Sequence, residues 1–289
     1  MKKLLSVLLL LCLLLTGCAA PAPAEQAFSN ELIVHFIDVG QADCTLLEYN
    51  DQYALIDAGY PASGPDVVEY LLALGVKELD LVVATHLHGD HLGGLPTVLA
   101  TFPTERIWCS SQTYYSSTYD DFCYYADQQD IVIERPMIGE RFMLGDVSLQ
   151  LLGPLQRTYE DINNSSLVIM ATHEDNKFLF TGDMRWEAER ELIDAGTDLK
   201  ADVLKVGHHG SYTSTSYLFL NEVMPQYAVI MCGRNNEYGH PHREPVARLR
   251  DAGVTICRTD KLGTIIFTSD GQNLDLSWEF TDAKPEVNS

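Results

Sequence analysis

Short apolar runs of strand length alternate along this chain with stretches whose apolar positions recur every three or four residues. Glu31–Ile37 alternates apolar and polar side chains, which predicts a strand with one buried face. Cys44–Glu48 and Tyr53–Ile56 follow as two more, with Asn50-Asp51 as the hairpin signal between them. Pro65–Leu74 places Val67, Val68, Leu71 and Leu72 on one helical face and stops at Gly75. Leu79–Ala84 is a largely apolar run, as in a strand covered on both sides, and Leu95–Phe102 reads as the helix beyond it. Ile107–Cys109 and Ile131–Ile133 are short strands enclosing a helix or lid at Thr113–Asp127. Phe142–Leu144 and Val147–Leu152 form a hairpin about Gly145-Asp146.

The second half repeats the alternation. Leu167–Thr172 and Phe178–Phe180 pair across the turn Glu174-Asp175-Asn176-Lys177, a helix follows at Trp186–Asp194, and a strand at Asp202–Val206. Helices at Tyr212–Asn221 and Glu244–Ala252 flank the strand Tyr227–Cys232. Strands at Thr255–Arg258, Gly263–Phe267 and Asn273–Glu279 close the series. Strands separated by single helices, in two similar halves, predict an α/β fold of two packed sheets with helices on both outer faces. Residues 31–280 form this domain, and residues 281–289 a C-terminal tail.

Ahead of the domain lies a different pattern. Met1-Lys2-Lys3 is a basic start, and Leu4–Leu15 is an apolar stretch of signal-peptide length, too short for a comfortable membrane span. Leu15-Thr16-Gly17-Cys18 has the form of a bacterial lipobox, in which Cys18 is diacylated and becomes the new first residue. Cleavage nearby, after Ala20 or Ala24, is the alternative. Residues 1–17 are thus expected to be a lipoprotein signal peptide and 18–30 an Ala/Pro-rich tether. Two acyl chains suffice for stable anchoring where one is marginal. The expected location is the extracytoplasmic face of a bacterial cell membrane, held through lipid on Cys18.

Composition narrows the partners. The chain carries 41 acidic residues against 19 Lys and Arg, a formal net charge of −22. Such a field repels polyanions and excludes tight non-specific nucleic-acid binding, while a bound divalent metal reverses its sign locally. A phosphodiester substrate therefore remains open. Past the signal and Cys18, the cysteines are Cys44, Cys109, Cys123, Cys232 and Cys257, an odd number with no CxxC spacing. Cys44, Cys232 and Cys257 sit in apolar runs as core residues. Cys109 and Cys123 flank a Tyr/Ser-rich segment, where a disulfide is one of two alternatives in an oxidising compartment.

The candidate chemistry collects at strand ends. Thr85–Gly94 places His86, His88, Asp90 and His91 within six positions directly after the run Leu79–Ala84. Imidazoles with a carboxylate are ligands for Zn²⁺ and, less selectively, Mn²⁺. Phe178–Phe180 runs into Thr181-Gly182-Asp183, Asp202–Val206 into Gly207-His208-His209-Gly210-Ser211, and Tyr227–Cys232 is followed by Tyr238-Gly239-His240-Pro241-His242. Of the nine histidines only His35, read as a strand residue, and His173, read as an exposed hairpin residue, lie elsewhere. Such clustering predicts one composite site with two divalent metal ions. A carboxylate such as Asp183 can bridge two cations that hold and deprotonate a water between them. His86 and His88 are assigned to one ion and Asp90 and His91 to the other, with His208 completing the second set. A purely structural zinc site, normally Cys-rich and closed, fits less well.

Thr-His-Leu-His-Gly-Asp-His at 85–91 matches the HxHxDH signature of metallo-β-lactamase-fold hydrolases, and Thr181-Gly182-Asp183 matches their bridging-aspartate strand. The chain resembles the ComEC-like group, the hydrolase domain of bacterial competence channel proteins. The narrower likeness is carried by Phe36–Asp43, Asn163–Val168, Leu204–Ser211 and Tyr238–His242, and it spans about residues 32–270. The resemblance implies an αββα four-layer sandwich, two mixed sheets flanked by helices, with a dinuclear site at one edge. The wider superfamily places a third histidine of the first metal where this chain has Asn163-Asn164-Ser165-Ser166. That departure makes Mn²⁺ a competitor to Zn²⁺. Ala42 also replaces the glycine usual in the group.

Asp38, Asp43, Asp57 and Asn164 are expected to hold the ligand histidines or order their loops. Asp90, His209 and His240 are expected to act on the reaction, the two histidines as oxyanion stabilisers or proton donors. His240 is an alternative to His208 as a ligand. The functional expectation is a lipid-anchored hydrolase using hydroxide bound between two metals, acting on a phosphodiester or phosphoester. A phosphorylcholine-esterase-like surface enzyme, another ester, lactone or β-lactam hydrolase, and a ligand-binding lipoprotein are the alternatives. Tyr114, Tyr115, Tyr119, Tyr124 and Tyr125 either line a substrate lid or simply pack.

Overall fold

Fifteen strands form two packed sheets in the computed structural model, which describes residues 30–280 and 282–286. Cys18, the signal peptide and all of the tether except Asn30 lie outside the described residues. In chain order the strands are β1 (Leu32–Phe36), β2 (Thr45–Tyr49), β3 (Gln52–Ile56), β4 (Leu79–Ala84), β5 (Thr104–Cys109) and β6 (Ile133–Glu134). Then come β7 (Arg141–Leu144), β8 (Val147–Gly153), β9 (Val168–His173), β10 (Asn176–Phe180), β11 (Val203–Lys205), β12 (Tyr227–Ile230), β13 (Thr255–Arg258), β14 (Ile265–Ser269) and β15 (Leu274–Trp278). The first sheet runs β15-β14-β1-β2-β3-β4-β5-β6 and the second β13-β12-β11-β10-β9-β8-β7.

Each sheet is antiparallel in one part and parallel in the other. Pairing is parallel from β3 to β6 and from β10 to β13. Parallel neighbours need crossovers, and these supply the outer helices. They are α1 (Gly64–Leu74), α2 (Gly89–Leu92), α3 (Leu95–Thr101), α4 (Ser117–Gln128), α5 (Trp186–Asp194), α6 (Tyr217–Val223) and α7 (Arg243–Asp251), with a single turn α8 (Thr259–Leu262) before β14. The four-layer αββα order expected from the sequence is the observed one.

Side-chain alternation explains the layers. Val34 and Phe36 of β1 meet Ile169 of β9 and Phe178 of β10 between the sheets. Leu79, Val82 and Ala84 of β4 turn outward to Val67 and Leu71 of α1 and Val98 of α3. On the far side Leu179 and Leu204 pack with Leu192 of α5, Phe219 of α6 and Leu249 of α7. Strands buried on both faces read as near-continuous apolar runs, as β4 does.

Two details differ from the sequence reading, and two settle points that it left open. His173 is buried, not exposed, because its Nδ1 lies 2.8 Å from Ser269 Oγ and its ring meets Tyr49 edge-on. Cys109 and Cys123 are both free thiols. The helix expected from Tyr212 begins at Tyr217, since Thr215 and Ser216 donate their backbone N–H groups to Glu189 and the Thr215 and Ser214 carbonyls accept from Arg248. Part of the expected tail is docked: Glu286 exchanges two backbone hydrogen bonds with Ile256, and Trp278 Nε1 donates to the Ala283 carbonyl. Among the described residues no helix is long and apolar enough to cross a membrane.

Phe178, fully buried between the sheets with its ring 6.2 Å from Phe267, tests the shared core. Phe178→Ala removes ring contacts with both sheets and should lower unfolding free energy by about 3–5 kcal/mol, read as a shift in the denaturant midpoint at unchanged m-value.

Candidate metal centre

The parallel parts of both sheets end at a common edge, and the loops leaving β4, β10, β11 and β12 bring the histidines and Asp183 together there. In open α/β sheets the carboxyl ends of parallel strands are the usual place for a ligand. Beyond β4, Thr85–His88 turns into α2, on which Asp90 and His91 ride. Gly94 lets this segment close on the turn after β3: a Cβ there would sit 2.1 Å from the Ala58 carbonyl oxygen. Asp57, His208 and His209 all adopt left-handed backbone, at φ +58°, +49° and +53°. Asp and His tolerate that region better than most residues.

Two groups of ligand atoms result, joined by Asp183. In the first, His86 Nε2 lies 3.1 Å from His88 Nδ1 and 3.9 Å from Asp183 Oδ2. In the second, one atom each from Asp90, His91, Asp183 and His209 lies within 4.8 Å of all the others. His91 Nε2 is 3.2 Å from Asp183 Oδ1, and both atoms are buried without a hydrogen-bond partner. His209 Nε2 is 3.2 Å from Asp90 Oδ2. The unpartnered, solvent-free His91–Asp183 pair fits a shared divalent cation, and the donor set of imidazole and carboxylate suits Zn²⁺ or Mn²⁺.

The sequence reading placed His208 in the second set; the structure puts His209 there. The kinked Gly207–Gly210 turn carries His209 inward, while His208 is partly exposed, its Nε2 3.7 Å from Asp183 Oδ2 and its Nδ1 3.2 Å from Thr213 Oγ1.

Surrounding groups fix which nitrogen of each ring faces the centre. Asp57 accepts the His91 Nδ1 proton at 2.8 Å and is itself held by the Thr85 N–H and hydroxyl at 2.8 and 2.6 Å. His209 Nδ1 donates to the Met231 carbonyl at 3.0 Å and lies 3.2 Å from Asp43 Oδ1. Both rings therefore keep Nε2 as the ligand atom. His240 sits beside them, its ring 6.1 Å from that of His209. Gly233 donates its N–H to Gln41 Oε1, which turns Gln41 Nε2 toward His240 Nδ1 at 3.1 Å. His240 thus accepts at Nδ1 and carries its proton on Nε2.

Asp38 and Asn164 do not touch the ligand histidines. Asp38 accepts from the Gly40 N–H, and Asn164 accepts from the Arg185 N–H just after Asp183, so each orders a loop. Sequence reasoning gave no role to four residues of the site: Gln41, Thr85, Ser166 and Lys205. All lie inside motifs it quoted. Ser166 accepts from the Asp183 N–H at 3.0 Å, with its hydroxyl 3.4 Å from His86 Nδ1. Lys205 is buried, ion-paired to Asp43, and donates to the Gly182 carbonyl at 3.0 Å. A charged residue ending an otherwise apolar strand was the signal for it.

Electrostatics follow from the enclosure. Burial holds His86 well below the ordinary imidazole range, helped by His91, so it is neutral. Burial also opposes charge on His91 and His209, yet the carboxylates outweigh it: His91 is pushed well above its ordinary value and His209 to about 10. Against burial, His91 and His209 hold Asp183 and Asp90 low. Burial, with His209 and His208 nearby, lowers His240 to about 4. Without metal, protons on imidazole balance the carboxylates. A divalent ion supplies the same positive charge and frees the imidazoles as ligands.

Fold and site together define a candidate metal centre at the edge of an αββα sandwich. The sequence model of the metallo-beta-lactamase superfamily matches residues 37–234, and the chain belongs to that family. Within it the chain is ComEC-like. It is 32% identical over 255 residues to ComE operon protein 3 of Bacillus subtilis (strain 168), covering 82% of this chain and 33% of that protein. It is 32% identical over 257 residues to competence protein ComA of Neisseria gonorrhoeae, covering 88% and 35% respectively. The chain therefore spans about a third of the length of these relatives. Among solved structures, the metallo-beta-lactamase fold protein YhfI of Bacillus subtilis superposes with a TM-score of 0.57 at 11% identity, covering 83% of this chain and 99% of YhfI, a likeness of fold alone.

The charge balance has a measurable sign. His209 titrates at about 10 in the folded metal-free protein against an ordinary 6.5, so its stabilising contribution is complete below pH 6.5 and lost as pH rises toward about 10. In EDTA the urea midpoint should fall across that window. With saturating Mn²⁺ or Zn²⁺, which bind neutral imidazole, the alkaline loss attributable to His209 should disappear.

Proposed function

We propose that this chain is an exported, lipid-anchored hydrolase that cleaves a phosphodiester or other phosphoester with two divalent ions. The observation that carries this reading is Asp183: one carboxylate oxygen lies 3.9 Å from His86 Nε2 and 3.6 Å from His209 Nε2, and the other 3.2 Å from His91 Nε2, so a single buried carboxylate stands among three rings and could serve two cations. His86, His88 and Asp183 would hold one ion, and Asp90, His91, Asp183 and His209 the other. Such a pair supplies an activated water and polarises the oxygens of the scissile group.

The chain's own residues do the positioning. Asp57 and the Met231 carbonyl keep His91 and His209 in the tautomer that leaves Nε2 free. Neutral His240, its proton on Nε2, offers a hydrogen bond to an oxygen gaining negative charge. Exposed Tyr238 stacks on His240 at 5.6 Å and Tyr114 meets His88 edge-on at 5.8 Å, so aromatic walls border the approach. The ComEC-like membership favours phosphodiester chemistry, and the strong negative charge favours a substrate engaged at the centre rather than along a broad surface.

Metal-loaded protein should hydrolyse bis(p-nitrophenyl) phosphate, and Asp183→Ala should lower the rate roughly a thousandfold or more. Activity surviving Asp183→Ala, or protein that takes up no divalent ion, would sink the mechanism. A panel of nucleic acids, phosphocholine esters and β-lactams then separates the substrate classes.

Anchoring is tested apart from catalysis. In a bacterial host the full chain should incorporate labelled palmitate and sediment with membranes. Cys18→Ser should abolish both; continued labelling of that variant would refute acylation at Cys18.

A further inference from the structure

We infer that Lys205 is a positioning residue of the metal centre: its buried ammonium keeps Asp43 aimed at His209 and His91 and pins the turn that carries Asp183. This rests on reading the cluster as a metal centre. Lys205 is 3% exposed and closes β11, two residues before the Gly207–Gly210 turn. Its Nζ pairs with Asp43 Oδ2, donates to the Gly182 carbonyl at 3.0 Å, and lies 4.0 Å from Asp183 Oδ1. One cation thus touches the loop after β1 and the turn after β10 while anchored on β11.

Asp43 passes the constraint on. Its Oδ1 is 3.2 Å from His209 Nδ1, and its Oδ2 is 3.7 Å from His91 Nδ1. Asp43, Asp57 and His91 also form a second group able to hold a metal. With the Lys205 ammonium seated on Asp43, that position already has its cation, and a divalent ion is directed to Asp90, His91, Asp183 and His209 instead. A buried carboxylate that loses a fixed cationic partner either repacks or recruits another cation. Histidine ligands lose metal affinity, typically tenfold to a hundredfold, when the groups orienting them are removed.

The test uses the full chain, stripped with chelator and titrated with Mn²⁺ by calorimetry, with folding followed by circular dichroism. If the wild type takes up no Mn²⁺, the metal reading itself fails. If it binds, Lys205→Met should remain folded and bind the more weakly held ion about tenfold or more less tightly. Lys205→Met that is folded and matches the wild type in affinity and stoichiometry overturns the inference, because a merely structural lysine would shift only the melting temperature. Should Lys205→Met fail to fold, Lys205→Met combined with Asp43→Asn removes both charges together. That double variant should bind Mn²⁺ no better than Asp43→Asn alone, itself weakened about tenfold or more. Wild-type affinity in either Asp43→Asn background also overturns the inference.

Discussion

Four carboxylates, Asp43, Asp57, Asp90 and Asp183, gather around His91 and His209 at the strand ends, and Asp43, Asp57 and Asp183 are almost wholly shielded from water. Burying an ion costs several kcal/mol even after relaxation, so this arrangement persists only with positive charge at its centre. Protons on imidazole can supply that charge, as can divalent metal. The surrounding hydrogen bonds fix where either must sit. Met231 and Asp57 occupy the Nδ1 positions of His209 and His91, which leaves both Nε2 atoms turned toward carboxylate oxygens with no neutral donor to satisfy them. Such a centre is built to be completed by a cation.

The sheet topology exists in the form that makes this convergence possible. Only the parallel parts of the sheets send several strands toward one edge with loops free to carry side chains, because each crossover returns along an outer helix. The antiparallel parts fill the sandwich and hold it rigid: Phe36, Phe178 and Phe267 lock the two inner faces together. Left-handed backbone at Asp57, His208 and His209 costs energy at each position, and the shared hydrogen bonds of the centre are what over-determine it. Fold and site are therefore coupled. A weaker inter-sheet core would release the loops, and an uncompensated site would burden the core.

Most of this was legible in the chain because its signals are periodic or local. Each of the fifteen strands overlaps a run that patterning picked out, and Leu79–Ala84 matches to the residue, while β10 begins at Asn176, inside the expected turn. The HxHxDH loop, Asp183 and the adjacent histidines declared themselves by clustering at strand ends. What was not legible depends on direction in space. His208 and His209 are neighbours in sequence, and only the kink at Gly207–Gly210 decides which one turns inward. His173 looked like a hairpin tip because nothing local marks Ser269, 96 residues away, as its partner. Lys205 lies inside the expected strand Asp202–Val206, and its meaning comes from Asp43, on a loop of the other sheet.

Ser166 gives the departure at Asn163–Ser166 a physical content. Its hydroxyl donates to the Asn163 carbonyl at 2.7 Å and accepts from the Asp183 N–H at 3.0 Å, so it is spent on holding the turn beneath Asp183 rather than offered to a metal. Gly182 must be small for this contact, because a Cβ there would lie 2.9 Å from that of Ser166. A histidine at position 166 would need to displace this packing to reach the centre. The His86–His88 half therefore has two imidazoles and a share of Asp183, whereas the other half has Asp90, His91, Asp183 and His209. Fewer protein ligands mean weaker retention and more open positions. On the proposed two-ion reading, the exposed side of the centre, beside His88 and Tyr114, is where an incoming oxygen would find an open position.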